Sequence, residues 1–165
     1  MAGRARNAQK VLDSAADGVR SAVIRLPRSV HGRNPGDGYG FAGVLIRAAR
    51  ATGVSGYVGD GSQHWPAVHR LDAARLFRLV IEQATAGTVA HAVADEGDSM
   101  LTIAETIGRE LDLPAAAVPA ESFGFVGHAF ALDQPSSSDV TRKQFGWEPE
   151  HPSLLDDLKA GNYPA

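Results

Sequence analysis

The chain contains no cysteine. That absence excludes disulfides, thiolate nucleophiles and cysteine-based zinc sites, and it permits a reducing compartment. Lysine is scarce: Lys10, Lys143 and Lys159 are the only ones, and arginine supplies the other basic groups. The formal net charge is −3, which argues against a nucleic-acid partner held through bulk positive charge. No apolar run is long enough to span a bilayer. The opening MAGRARNAQK is basic but has no apolar core, so it does not read as a secretory signal. The expectation is a cytoplasmic protein with no membrane and no nucleic-acid partner. No H-E-x-x-H pattern joins the histidines, no tight set of carboxylates supports them, and no metal site is expected. No G-x-S-x-G nucleophile elbow occurs, which sets aside a typical α/β-hydrolase.

What is present suits one globular domain. The chain has 165 residues, 44% hydrophobic and 21% charged, enough for a real core. Arg4 to Ala16 has helical spacing, with Gly18 as a stop. Val19–Leu26 reads as a buried strand ended by Pro27. Gly40 to Ala51 reads as a second amphipathic helix. Short strands are expected at Gly56–Val58 and Ala67–His69. A third helix runs from Asp72 to Ala84, with Ala73, Leu76, Phe77, Val80 and Ile81 as its core stripe. Val89–Ala94 reads as a second buried strand. Asp98 or Ser99 caps a fourth helix through Leu111, and Ala115 to Ala120 is the softest joint. Helices follow at Ser122–Leu132, at Ser138–Phe145 stopped by Gly146, and at Pro152–Ala160. Asp156 and Asp157 on the last of these are expected to face water. Helices alternating with strands make the class α/β. Only two strands read as central parallel strands, which is marginal for a sheet standing alone.

Polar residues at strand ends are where α/β proteins place ligand contacts. Ser29, Val30 and His31 follow the first buried strand, although a solvated loop exit explains them equally. His69 and Arg70 sit where a short strand gives way to a helix. Arg70 has a simpler reading as a surface partner of Asp72 or Glu82, and Trp65 as a core anchor. Gly36, Gly38 and Gly40 lie between a strand and a helix, as in a phosphate-binding loop. Read from Gly36, however, the dinucleotide fingerprint needs glycine where Phe41 stands. A flexible surface loop is the better reading.

Three segments taken together resemble the C-terminal part of the extended or atypical short-chain dehydrogenase/reductases, the NAD-dependent epimerase/dehydratase family. VIRLPRSVHG is similar to that family's strand and loop, through Arg25, Pro27, Val30, His31 and Gly32. AVHRLDAARLFRLV is similar to its His-x-x-Asp segment, through His69 and Asp72. TRKQFGWEPEHPSLLDDL is similar to its Leu-Gly-Trp-x-Pro signature, through Gly146, Trp147 and Pro149, with Phe145 in the Leu position. The resemblance implies a partial Rossmann-like α/β fold: late strands of a parallel sheet over 1–94 and a mostly helical substrate-side region over 95–165, in one domain. It implies Pro27, Ser29 and Val30 on the cofactor side, and His31, Phe41, Trp65, His69 and Arg70 on the substrate side, Arg70 meeting an anionic or carbonyl group. NAD or NADP is the cofactor in full-length relatives.

The departures from the family shape the expectation further. The family's Gly-rich start has no counterpart here, and no tyrosine has a lysine four residues on. In the family that Tyr-x-x-x-Lys pair supplies the general acid/base. At ~30 residues per βαβ unit, an absent nucleotide-binding half would exceed ~100 residues. The expectation is therefore a truncated NAD(P)-dependent oxidoreductase or epimerase, related to enzymes that transfer hydride on a small carbonyl or alcohol substrate, with no catalytic residue of its own and no cofactor bound alone. The alternatives are a non-catalytic binding or oligomerisation module, with a second copy or a partner chain covering an exposed sheet face, and the remnant of a disrupted reading frame.

Overall fold

A computed structural model describes residues 2–33, 40–161 and 163. The first helix, α1 (Ala2–Asp13), runs into a 3-10 turn at Ser14–Asp17 and stops at Gly18, whose φ of 80° lies in the left-handed region. The stop is where the sequence put it, but the helix lies on the surface and Val11 is 45% exposed. The strand that follows, β1 (Ala22–Arg25), is shorter than Val19–Leu26 and only half-buried. The physical reason is its position. Among the described strands it pairs with one neighbour, β5 (Thr88–His91), in parallel register from Ala22↔Thr88 to Arg25↔His91. The two strands read as central parallel strands thus do pair with each other, and the other edge of β1 has no strand partner among the described residues.

Two further sheets build the rest. β2 (Ser29–His31) pairs in parallel with β4 (His64–His69), and β4 pairs antiparallel with β6 (Asp95–Ser99). β3 (Ser55–Tyr57) pairs in parallel with β7 (Ala115–Ala117). The soft joint expected at Ala115 is therefore in part a strand. The helices are α2 (Gly40–Thr52), α3 (Arg70–Gln83), α4 (Met100–Leu111), α5 (Gly127–Phe130), α6 (Asp139–Phe145) and α7 (Leu154–Lys159). A 3-10 segment at Ala120–Val126 precedes α5. Ser99 caps α4, its Oγ accepting from Thr102 N at 3.0 Å. The helix α3 starts two residues before Asp72, with His69 at its N-cap. Gly146 closes α6 at φ 56°.

Two cores form. Trp65 is fully buried at the centre of the larger one, against Phe41 and Phe130, with ring centroids 6.0 and 4.8 Å away. The smaller one holds Val68, Leu76, Val80, Phe145 and Trp147. Here the expected stripe of α3 splits. Ala73, Leu76 and Val80 are buried, but Phe77 is 42% and Ile81 65% exposed. Both line a groove of about 260 Å³ beside Arg20, Ala22 and Ile24, along the open side of β1. The helix carries more apolar surface than the described sheet covers. No helix of the described residues is long and apolar enough to cross a membrane.

Candidate functional site

Parallel strands β1 and β5 end together at Arg25 and His91, and a cleft of about 570 Å³ opens there. This is the crevice outside the carboxyl ends of parallel strands, the usual ligand position of open α/β sheets. Arg4 comes from α1, Arg25, Pro27 and Arg28 from the end of β1 and its exit, Phe41 from α2, and Gln134 from the loop after α5. None of the described lining residues is a carboxylate. Arg28 is fixed in place. It donates to the Ala129 carbonyl and to Gln134 Oε1, and its guanidinium lies 5.2 Å from the Trp65 ring centroid. Burial pulls its pKa below the ordinary value, because its described partners are all neutral. His91 Nδ1 lies 3.3 Å from the Ser137 carbonyl, which fixes that nitrogen as the protonated one and leaves Nε2 as the acceptor.

The second parallel pair, β2 and β4, ends at His31 and His69, which are register partners. Both are buried, and their rings meet edge to face at 5.4 Å. Gly32 makes the approach possible: with φ at 108°, a Cβ there would stand 2.4 Å from His69 Nε2. Each histidine group is backed by a buried carboxylate. His31 Nδ1 lies 3.1 Å from Asp157 Oδ2, which also accepts from the Tyr163 hydroxyl at 2.9 Å. Burial and the neighbouring carboxylate push the Tyr163 phenol far above its ordinary range, so it stays protonated and donates. The His69 ring stacks on His151 at 4.6 Å, and His151 Nδ1 lies 2.9 Å from Asp72 Oδ1. The expected water-facing Asp157 is thus 2% exposed, and histidine–carboxylate pairs do exist. Sequence spacing hid them, because each joins residues far apart in the chain.

Desolvation lowers the pKa of His69, and the charges of His31 and His151 add to it. Between its folded pKa and the unfolded value of about 6.5, His69 therefore binds more proton in the unfolded chain than in the folded one. The stability contributed by neutral His69 is complete above that pH and is lost as pH falls toward the folded pKa. Urea titrations at pH 7.5 and 5.5 are expected to show the loss, and His69→Gln should flatten it. An equal slope in the variant would assign the effect elsewhere.

His69, Asp72 and His151 place possible ligand atoms within 4.8 Å of one another. The arrangement does not suit a metal ion. Ring lone pairs lie in the ring planes, and these two rings stack 5° from parallel, so their lone pairs do not converge. Asp72 is committed as well: it accepts from Glu150 N and His151 N at 3.1 Å each, besides His151 Nδ1. Burial alone would raise its carboxyl, but these bonds outweigh burial and hold it below the ordinary value. The Asp72 carbonyl accepts from Trp147 Nε1 at 3.0 Å. Asp72 is a latch that holds the segment after Trp147 against α3.

Of the sequence candidates, Pro27 and Phe41 line the cleft. Ser29 is buried, its Oγ without a partner among the described residues, and Val30 packs on the smaller core. Trp65 is a core residue that lies behind the cleft, in contact with two of its lining residues, Arg28 and Phe41. Arg70 is exposed at the first turn of α3, and Asp72 and Glu82 are paired with others, Glu82 with Arg78 at 2.8 Å. The cations that do converge, Arg4, Arg25 and Arg28, were legible only in that two of them flank Pro27 at a strand's end. The glycine pattern needs a correction too. Gly38, Gly40 and Gly43 do satisfy G-x-G-x-x-G, which a reading begun at Gly36 misses. Gly36 and Gly38 lie outside the described residues. Gly43 is buried within α2, and the flanking strands β2 and β3 belong to different sheets. They therefore do not form the βαβ unit that a dinucleotide needs. Asp60, about 20 residues on, where the fingerprint's ribose ligand would stand, instead accepts from Ser62 N and Oγ at 3.0 and 2.8 Å.

No protein-family model matches the chain. An uncharacterized protein of Schizosaccharomyces pombe is 45% identical over 156 residues, 92% of this chain and 52% of that protein. One of Saccharomyces cerevisiae is 46% identical over 164 residues, 97% of this chain and 54% of that protein. The chain spans about half the length of the curated relatives it matches. Among solved structures, a double mutant of a dTDP-glucose 4,6-dehydratase from Streptomyces venezuelae with NAD bound superposes at a TM-score of 0.73, with 16% identity over 98% of this chain and 48% of that one. An epimerase from Methanothermobacter thermautotrophicus gives 0.70, with 15% identity over 93% and 45%. The protein RMD from Pseudomonas aeruginosa complexed with NADPH gives 0.66, with 16% identity over 94% and 52%. The fold is that of NAD(P)-dependent epimerases and dehydratases: a partial Rossmann-like α/β arrangement matching about half of each.

Proposed function

We propose that this chain is the substrate-side part of an NAD(P)-dependent oxidoreductase of the epimerase/dehydratase type, one that moves hydride on a small carbonyl or alcohol substrate. The observation that carries the reading is the parallel β1–β5 pair, which opens at its carboxyl end onto the arginine-lined cleft in a fold shared with NAD- and NADPH-bound enzymes. Pro27 is the cofactor-side residue that lines the cleft at the strand exit, with Ser29 and Val30 packed inward just after it in β2. The sequence offers no Tyr-x-x-x-Lys pair, and β2–α2–β3 offers no dinucleotide crossover. The acid/base and the pyrophosphate site therefore come from the half of the relatives that this chain does not match. That half docks along the open edge of β1, where Val19, Leu26, Phe77 and Ile81 are 42–65% exposed.

Mixing the chain with the unmatched half of the Schizosaccharomyces pombe relative tests this. The expected result is a one-to-one complex that binds NADPH, with Ile81→Asp weakening assembly at least about tenfold, since an aspartate buried in an apolar interface has no partner. Assembly that ignores Ile81→Asp, or a complex that binds no nicotinamide cofactor, would overturn it.

A further inference from the structure

The chain is acidic overall, yet the cleft at the ends of β1 and β5 gathers Arg4, Arg25, Arg28 and His91 with no carboxylate among the described lining residues. Arg4 and Arg25 are exposed and have no ion-pair or hydrogen-bond partner among the described residues. Arg28 differs from them. It is half-buried, its described partners are a backbone carbonyl, a side-chain amide oxygen and an indole face, and none of these offsets its charge. Bringing a cation part-way out of water without a counter-ion is unfavourable unless something negative completes it. The two hydrogen bonds and the indole also hold the guanidinium fork in one orientation, so little side-chain entropy is lost when it meets a ligand. Arg25 projects from the same strand end, three residues before, and Arg4 closes the cleft from α1.

We infer that this cleft is a site for a compact oxyanion, a phosphoryl or carboxylate group, held by the fixed Arg28 and met by the exposed forks of Arg25 and Arg4. Such a group binds through paired N–H donors on each guanidinium. Arg70, expected from the sequence to meet an anion, is on a different surface and takes no part. The inference shares its cleft with the proposed function and rests on that reading only for the identity of the molecule that carries the oxyanion.

Calorimetric titration of the whole chain with inorganic phosphate, and separately with acetate, tests the site without any cofactor. The expected result is saturable binding of at least one of the two, weakened about tenfold by Arg25→Gln and further by adding Arg4→Gln. Both are exposed positions where folding should survive, and circular dichroism checks that it does. Arg109→Gln, an exposed arginine of α4, should leave binding unchanged. Absence of saturable binding by either anion, or equal loss in Arg109→Gln, overturns the inference. Adding NADP⁺ to the chain and its reconstituted partner then distinguishes the source. Competition with phosphate assigns the group to the cofactor, and its absence assigns it to the substrate; either result supports an oxyanion site. Phosphate binding by the chain alone would stand even if reconstitution failed to restore NADPH binding, so the two readings fail separately.

Discussion

Replacing Asp72 by alanine is expected to lower the free energy of unfolding by about 3–5 kcal/mol, the range for breaking a buried charged network from one side. The carboxylate is 1% exposed and takes three donors: the N–H groups of Glu150 and His151 and the His151 ring. Alanine leaves these part-buried donors without an acceptor, and each unsatisfied group costs about 1–3 kcal/mol, toward the lower end where water reaches it. The His151 side chain is about one-third exposed and finds water, so the backbone donors carry most of the loss. The damage spreads because the same segment holds Trp147, which is fully buried and pinned to the Asp72 carbonyl. Asp72→Asn keeps one acceptor oxygen and should cost about half as much. Urea unfolding of the three proteins decides it. A loss below about 1 kcal/mol for alanine would mean that the latch is not part of the core's stability.

The second large effect lies at Asp157. Asp157→Ala removes the acceptor shared by His31 Nδ1 and the Tyr163 hydroxyl. Among the described residues His31 Nε2 is already buried and unpartnered, so the variant strands the imidazole inside the protein. A loss of about 3 kcal/mol is expected, at the lower end for a buried pair broken from one side. Most of that is the penalty of the stranded partner rather than the value of the bond. The cost of Asp157→Ala should therefore fall by at least about 1 kcal/mol in a His31→Leu background, where one stranded group is gone. Additive losses in the double variant would show that His31 and Asp157 do not act together.

These two latches are also where the sequence was least informative. Asp156 and Asp157 are neighbours on α7, and helical geometry turns adjacent residues about 100° apart. One caps the helix start with Ser153 while the other points into the core. Nothing local distinguishes them, because the partners of Asp157 include a histidine 126 positions away. The elements written in local chemistry were legible: the Ser99 cap, the Gly18 and Gly146 stops, and the β-branched strands at β1 and β5. The strand β6, DEGDS, has no apolar alternation, and its strand character comes from pairing with β4. The strand β7 is three alanines, which carry little strand preference. In α3 the helical period correctly joined Phe77 and Ile81 to Ala73, Leu76 and Val80, but period reports an apolar face and not what covers it. The cleft cations were individually visible and collectively not, since Arg4, Arg28 and His91 meet only when α1, the β1 exit and β5 are assembled.

The exposed side of α3, the open edge of β1 and the relatives of twice the length fit one account. On the proposed function, this chain would hold the substrate-facing part of the enzyme and depend on the remainder for its cofactor. Titrating the chain alone with NADPH, followed by tryptophan fluorescence, tests that dependence most directly. Trp65 reports on the cleft because Arg28 lies over its ring. The account predicts no saturable change up to about 1 mM, an affinity too weak to reflect a built dinucleotide site. Saturable binding in the micromolar range would contradict it, and would place a complete cofactor site within these 165 residues.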